Sequence, residues 1–169
     1  VEEVLRIYGY DNIELPGNIC SSMGRVAKPE QHRVRDAVAD RLSALGFREI
    51  MCNSLTSALY YEKPGTYPSQ SLVRILNPLS GDLNAMRQTL LWGGLEAIAY
   101  NINRQQYNLR FFEQGNVYAL NGAGDTLEGY REYQHLGLFI TGSDRGQNWH
   151  TPSRSTDFFM IKSYVDHLA

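Results

Sequence analysis

The chain has few of the features that mark secreted, membrane or metal-binding proteins. It contains 2 Cys, Cys20 and Cys52, whose spacing matches no metal-binding pattern. No apolar run approaches the roughly 18 residues that a membrane-spanning helix needs, and the first residues show no signal-peptide pattern. These absences predict free thiols in a reducing compartment and favour a cytoplasmic protein.

An excess of positive charge is also missing. The sequence has 16 Lys and Arg against 18 Asp and Glu, which gives a net charge of −2 at pH 7. A domain that binds nucleic acid tightly by itself normally carries excess positive charge, because phosphate neutralisation dominates its affinity. If RNA is a partner, other parts of a larger assembly must supply most of that charge, and DNA is not expected as a partner.

The remaining composition is typical of a globular protein. The 169 residues are 43% hydrophobic and suit one domain, or one domain with the remnant of a neighbour. The 11 Tyr suit half-wet surfaces such as interfaces. Both ends of the sequence have helical patterns, which favours a piece cut from a longer protein.

Apolar residues at helical spacing predict several helices. The clearest begins at Pro29, where a missing N–H costs nothing, and ends at Gly46. One face of this helix carries Val34, Val38, Leu42 and Leu45. A later helix has an apolar face formed by Leu91, Leu95, Ile98 and Ile102. Further helices are predicted over residues 2–8 and 57–62 and after Asp157, which suits an N-cap.

Alternating apolar residues predict the strands. We expect strands over residues 48–55, 72–76, 108–120 and 133–141, with the last two pairing as antiparallel neighbours. Loops, rather than regular helical crossovers, join the strands that are adjacent in sequence. The sequence therefore predicts an α+β fold, in which an antiparallel sheet has helices on one face.

One carboxylate interrupts an apolar strand face. Glu113 shares its face with Leu109, Phe111 and Val117. It needs a partner there, because an unpaired buried charge is costly. Arg87, which begins the segment leading to the later helix, is the candidate for a structural ion pair with Glu113. The alternative is a carboxylate that faces a substrate.

Other motifs favour ordinary structural roles. The stretch NGAGD at residues 121–125 resembles a phosphate-binding loop, but a strand follows it where such a loop needs a helix, so a hairpin loop is expected. The four His residues have no metal-ligand spacing, and no Ser/His/Asp or Cys/His arrangement can be assembled.

Three segments in order resemble the β subunit of phenylalanyl-tRNA synthetases. They are EEVLRIYGYDNI at residues 2–13, NPLSGDLNAMRQTLLWGGLEAIAYNINR with NLRFFEQGNVY at residues 77–118, and WHTPSRSTDFFMIKSYVDHL at residues 149–168. Trp92-Gly93 replaces the usual Pro-Gly of that family, and Met160 and Ser163 replace an acidic residue and a glycine. The resemblance extends over essentially the whole chain.

The resemblance implies a fragment of a bacterial β subunit with a class II synthetase-like antiparallel sheet flanked by helices. Residues 1–17 would end the preceding B5-like module, and residues 18–28 would be a linker. Residues 29–169 would form the catalytic-like B6–B7 region, truncated before motif 3. The helix after Pro29 falls at motif 1, which makes its apolar face a candidate interface with another subunit.

The same resemblance implies that the region does not catalyse. In the α subunit of the family, a strand end like Gly-Arg-Val-Tyr-Arg supplies an arginine that holds the α-phosphate of ATP. The matching stretch here is Gly115–Ala119, and Ala119 stands where that arginine would be. A methyl group cannot neutralise phosphate charge, and the motif 3 segment would lie beyond residue 169.

Glu2 and Glu3 match the Glu-Glu pair of the family's magnesium site. Two carboxylates are only part of a site for a hard cation, and the family's aspartates would precede Val1. We therefore expect no ordered metal in this fragment.

The full enzyme implied by the resemblance is an α2β2 phenylalanine-tRNA ligase that uses ATP and Mg²⁺. The α subunit would perform the reaction, while this module would support α and help to position tRNA(Phe). One rival hypothesis is an active class II enzyme, and the alanine at position 119 argues against it. The other is an RNA-binding module independent of α, and the net charge of −2 argues against that.

Overall fold

A computed structural model describes residues 2–14, 17–18, 30–62, 66–122, 126–143 and 149–168. Its contacts divide the chain into two units, residues 1–30 and 31–169. The first unit contains helix α1 (Glu2–Tyr8) and a 3-10 turn (Tyr10–Asn12), and none of its described residues is buried. Pro29 lies outside the described residues. The predicted linker, residues 18–28, also lies outside them, except for Asn18.

The described part of the second unit contains helices that match the predicted ones closely. They are α2 (Gln31–Ala44), α3 (Leu59–Glu62), α4 (Leu91–Ile102) and α5 (Phe158–Asp166). The strands are β1 (Arg48–Glu49), β2 (Leu55–Thr56), β3 (Ala85–Met86), β4 (Arg110–Leu120) and β5 (Tyr130–Ile140). In the described part of the chain, no helix combines the length and the apolarity that crossing a membrane requires.

Strands β1, β4 and β5 form a sheet in that order. The predicted antiparallel pairing of β4 with β5 is confirmed, with Arg110 opposite Ile140 and Leu120 opposite Tyr130. The prediction of a wholly antiparallel sheet is wrong, because β1 pairs parallel with β4. A long connection that includes α3 and α4 separates these two strands, and such a crossover permits parallel pairing where a tight turn would not.

Two predicted strands differ from the structure. The strand expected over 48–55 divides into β1 and β2, and β2 leaves the main sheet to pair antiparallel with β3. The strand expected over 72–76 contributes only an isolated bridge between Arg74 and Ala85. Pro78 follows this segment closely and lacks the N–H that a longer ladder would need.

Helices α2 and α5 cover one face of the sheet. The buried residues there are Leu42, Phe47 and Phe112. Tyr164 of α5 meets Phe47 edge-on, with 4.9 Å between the ring centroids. This face holds the C-terminal half of α2 against the middle of the sheet.

Helix α4 covers the opposite face. Its residue Ile98 packs against the buried side chains of Leu109, Phe111 and Phe139. A Cβ at Gly94 would overlap the Phe139 ring, so a glycine is needed for this close approach. The prediction of helices on one face alone is therefore wrong, because apolar side chains occupy both faces of β4.

Candidate functional site

A buried ion pair lies on the face of the sheet that α4 covers. The Nη1 group of Arg87 donates to Oε1 of Glu113 at 2.6 Å, and the two side chains are 7% and 3% exposed. The backbone of Arg87 is held between two segments, since its N–H donates to the Ser54 carbonyl and its carbonyl accepts from the Tyr118 N–H. The structure thus brings together the two residues that the sequence predicted as partners.

Backbone groups surround this ion pair. Arg87 Nε donates to the Asn116 carbonyl at 2.9 Å, and Nη1 donates to the Cys52 carbonyl at 3.4 Å. The Cys52 N–H donates to Glu113 Oε1 at 3.3 Å. Gly115 leaves room for the guanidinium, because a Cβ there would overlap Arg87 Nη2. These contacts bind Arg87 and Glu113 to the protein itself.

Cys52 lies beside Glu113 as a free thiol. Burial raises the pKa of this thiol to about 12, and the neighbouring Glu113 carboxylate contributes to the rise. The thiol therefore stays protonated at neutral pH and is a poor nucleophile. Cys20 lies outside the described residues.

Ala119 is half-buried near the end of β4 and lies opposite Arg131 of β5. Side chains opposite each other in an antiparallel pair point to the same face. Arg131 is exposed, and it is the cation that the pairing places beside the methyl group. Sequence analysis missed this neighbour. Only the pairing register of the hairpin could have revealed it, and the position of the turn fixes that register.

The predicted interface residues of α2 have unequal environments. Leu42 is fully buried in the core of this chain, and Val38 and Leu45 pack against the same cluster. Val34 is 49% exposed. It borders a groove of about 170 Å³ that also reaches Leu136 of β5. The part of the stripe that remains open to another molecule is thus its N-terminal end.

Glu2 and Glu3 lie exposed on α1, each within ion-pair distance of Arg6. Across the described residues, no group of three or more His, Cys, Asp or Glu side chains is arranged to hold a metal ion. Two glutamates would supply part of the oxygen ligands that a hard cation needs. They fit a magnesium site only if further carboxylates join them.

The family model and the curated relatives identify the same family. A family model described as phenylalanyl tRNA synthetase beta chain CLM domain matches residues 19–169. The phenylalanine--tRNA ligase beta subunit of Bacteroides fragilis is 43% identical over 173 aligned residues, which cover 99% of this chain and 21% of that protein. The corresponding subunit of Porphyromonas gingivalis is 38% identical over the same shares.

Among solved structures, an ATP phosphoribosyltransferase regulatory subunit/histidyl-tRNA synthetase from Bacillus halodurans C matches 78% of this chain and 34% of that one, with 21% identity and a TM-score of 0.48. The curated relatives are much more similar in sequence, and the chain spans about a fifth of their length. The match to the family model and these identities show that the chain belongs to the family of phenylalanyl-tRNA synthetase β chains.

Proposed function

We propose that this chain is a non-catalytic module of the β subunit of a phenylalanine-tRNA ligase. In this proposal the module supports the catalytic α subunit and helps to position tRNA while the complex charges tRNA with phenylalanine, using ATP. The full enzyme is then an α2β2 assembly in the cytoplasm. The sequence relatives, which carry the name of that subunit, are the basis for this assignment.

The observation that carries the non-catalytic role is Ala119. Forming an aminoacyl-adenylate requires positive charge at the α-phosphate of ATP, since charge develops there as the carboxylate attacks. At the position where the resemblance expects the motif 2 arginine, the half-buried strand end offers a methyl group. The α subunit must then provide the cation and hold the Mg²⁺ that ATP brings.

The buried ion pair supports the same conclusion. Among the described residues, Arg87 and Glu113 are the buried charged residues on this side of the sheet, and they are bound to each other. A substrate could reach either group only by displacing the side chains packed around the pair, because both charged side chains are almost completely buried. The sheet face around this pair is therefore closed to a substrate in this structure.

The proposed module boundaries follow the resemblance. Residues 1–17 end a B5-like module, 18–28 link it to the next, and 29–169 belong to the catalytic-like B6–B7 region with a class II synthetase-like sheet. The division of the chain after Glu30 supports this order. In the longer protein, Glu2 and Glu3 would join upstream aspartates in a magnesium site. The exposed Val34 end of α2 is the proposed contact with another subunit.

An ATP–pyrophosphate exchange assay tests the proposal. The full β subunit is purified alone and together with the α subunit, and phenylalanine-dependent exchange is measured for each. We expect exchange only when α is present. We also expect Arg131→Gln in β to leave that rate unchanged, because Arg131 does not replace the missing arginine. If β alone catalyses exchange, the non-catalytic role is wrong. If Arg131→Gln then abolishes that exchange, Arg131 is the substitute cation.

A further inference from the structure

We propose that a cleft at the start of β4, with Arg48 and Arg110 in its wall, binds phosphate groups of an RNA backbone. This inference rests on the proposed function, because it assigns part of the tRNA positioning to these two arginines. The cleft lies at the end of the sheet that is remote from Ala119, since Arg110 begins β4 and Ala119 lies near its end.

The cleft has a volume of about 390 Å³. It opens between the end of α4, the start of β4 and the end of β5. Its polar wall residues include Arg48, Asn101, Gln106, Asn108, Arg110 and Ser143. None of the described residues that line it is acidic, and two arginines and several neutral polar residues form its wall. Such a lining suits an anion with several oxygens.

The two arginines have different roles in the cleft. Arg48 is exposed at the beginning of the edge strand β1, and its side chain has no polar partner in the described part of the chain. Arg110 is anchored, because Nη1 donates to the Leu45 carbonyl at 3.4 Å and the guanidinium lies 5.8 Å from the centre of the Tyr164 ring. Arg48 is therefore the cation most available to a ligand.

Neutral groups around the arginines can add hydrogen bonds. Asn108 Oδ1 accepts from the backbone N–H and the hydroxyl of Ser143, which assigns the Nδ2 group of Asn108 as a donor. The partial negative charge at the end of α4 is reduced, because the N–H groups of Gln105 and Gln106 cap the carbonyls of Ile102 and Asn101. The helix end is thus compatible with an anion nearby.

A second cavity with an arginine in its wall adjoins this cleft, and two adjoining cavities favour an extended anion over a single small one. Arg110 also borders a neighbouring cavity of about 440 Å³ that contains Arg154 and Ser155. Arg154 is partly neutralised by Asp157, at 2.7 Å, so it adds less attraction than Arg48. With a net charge of −2, the chain would hold RNA weakly and orient it, while other parts of the assembly supply most of the affinity.

The test uses the complex of the full β subunit with the α subunit and measures tRNA affinity over a series of salt concentrations. For Arg48→Gln in β we expect roughly 3- to 10-fold weaker binding at low salt. The slope of log affinity against log salt should fall by about one. Arg48→Lys should restore most of the affinity, because it keeps the charge.

The matched control is Arg131→Gln. Arg131 is also an exposed strand arginine without a polar partner among the described residues, but it lies at the far end of the β4–β5 pair. We expect it to leave affinity and salt slope unchanged. Thermal melts of each variant show whether the fold is kept, and the exposure of both side chains predicts that it is.

Three outcomes would contradict the inference in distinguishable ways. If the wild-type complex binds tRNA and the two variants, Arg48→Gln and Arg131→Gln, change the tRNA affinity to the same extent, the cleft is not the phosphate site. The proposed function then still stands. If Arg48→Gln weakens binding of ATP or inorganic phosphate and leaves tRNA affinity unchanged, the ligand is a free phosphate compound. If α and β form no complex, or the complex does not bind tRNA, the proposed function itself fails.

Discussion

Arg87 and Glu113 show at the scale of single residues how this sheet tolerates charge in its interior. Each side chain is almost completely enclosed, and each is bound to the other and to backbone groups of neighbouring segments. A buried pair of this kind costs much desolvation free energy, so its net contribution to stability is small. Removing one partner is different, because the remaining charge stays buried.

We expect Glu113→Gln to lower the free energy of unfolding by about 3 kcal/mol, because Arg87 would remain charged in a site without a counter-ion. Urea denaturation measures the change. The double variant Arg87→Met with Glu113→Leu should recover most of the loss, since it removes both charges and keeps the volume.

The control for that experiment is Glu62→Gln. Glu62 pairs with Arg74 at the surface, where the side chains are 40% and 55% exposed. Exposed pairs contribute at most about 1 kcal/mol, so this variant should change stability little. Equal stability of Glu113→Gln and the wild type would show that the buried pair does not hold the sheet.

The sequence was sufficient to predict this pair and insufficient to predict its surroundings. Glu113 lies on an apolar strand face, and this pattern alone predicts a cation nearby, because a buried carboxylate without a partner is costly. The backbone contacts from Cys52 and Asn116 depend on how loops approach the strand in space, and no local pattern encodes them. Arg131 was missed for a similar reason, because its position opposite Ala119 depends on the pairing register.

At the scale of elements, the helices were predictable and the sheet was less so. The start of α5 illustrates the first point, because Asp157 is an N-cap by sequence and accepts a hydrogen bond from the Met160 N–H at 2.9 Å. Strand β4 illustrates the second, because Phe111 and Phe112 point to opposite faces and each is buried under a different helix layer. Apolar residues on both faces remove the alternation that one-sided strands show.

We expect Asp157→Ala to lower the melting temperature at pH 7, because the first turn of α5 loses its cap. Asp157→Asn should be milder, since its side-chain oxygen can still accept from the Met160 N–H. A hydrogen bond from Arg154, together with the Met160 N–H, lowers the pKa of Asp157 below its ordinary value.

The lowered pKa fixes the sign of the pH dependence. The carboxylate stabilises the folded protein above the ordinary pKa of aspartate, and this contribution is lost as the pH falls through the lowered folded-state pKa. The difference in melting temperature between wild type and Asp157→Asn should therefore shrink as the solution is acidified. A difference that stays constant from pH 7 to acidic pH would mean that the charge of Asp157 contributes nothing.

At the scale of the whole molecule, the buried residues that the structure describes all belong to one unit. Every buried residue in the described part of the chain lies within residues 31–169. Most of the buried apolar ones form clusters on the two faces of the main sheet and under α3. The α+β class follows from local patterns that the sequence displays. The parallel pairing of β1 with β4 does not, because it joins residues about 60 positions apart and depends on the packing of the helices between them.

This distribution of the core predicts opposite effects for two truncations of this chain. Deleting residues 1–30 removes no buried side chain among those described, so the free energy of unfolding should change by less than about 0.5 kcal/mol. Deleting residues 158–169 removes Tyr164 and Leu168 from the cluster around Phe112. That loss should cost at least about 3 kcal/mol, because it exposes core surface.

Chemical denaturation of the two truncated chains beside the full chain measures both effects, and a single cooperative transition for residues 31–169 is the expected result. If the N-terminal deletion abolished that transition, residues 1–30 would be part of the folding unit. The division of contacts after Glu30 would then not mark a boundary between modules, and the proposed B5-like assignment of the first residues would lose its physical support. If the deletion of α5 were harmless, the cluster around Phe112 would be held by α2 alone.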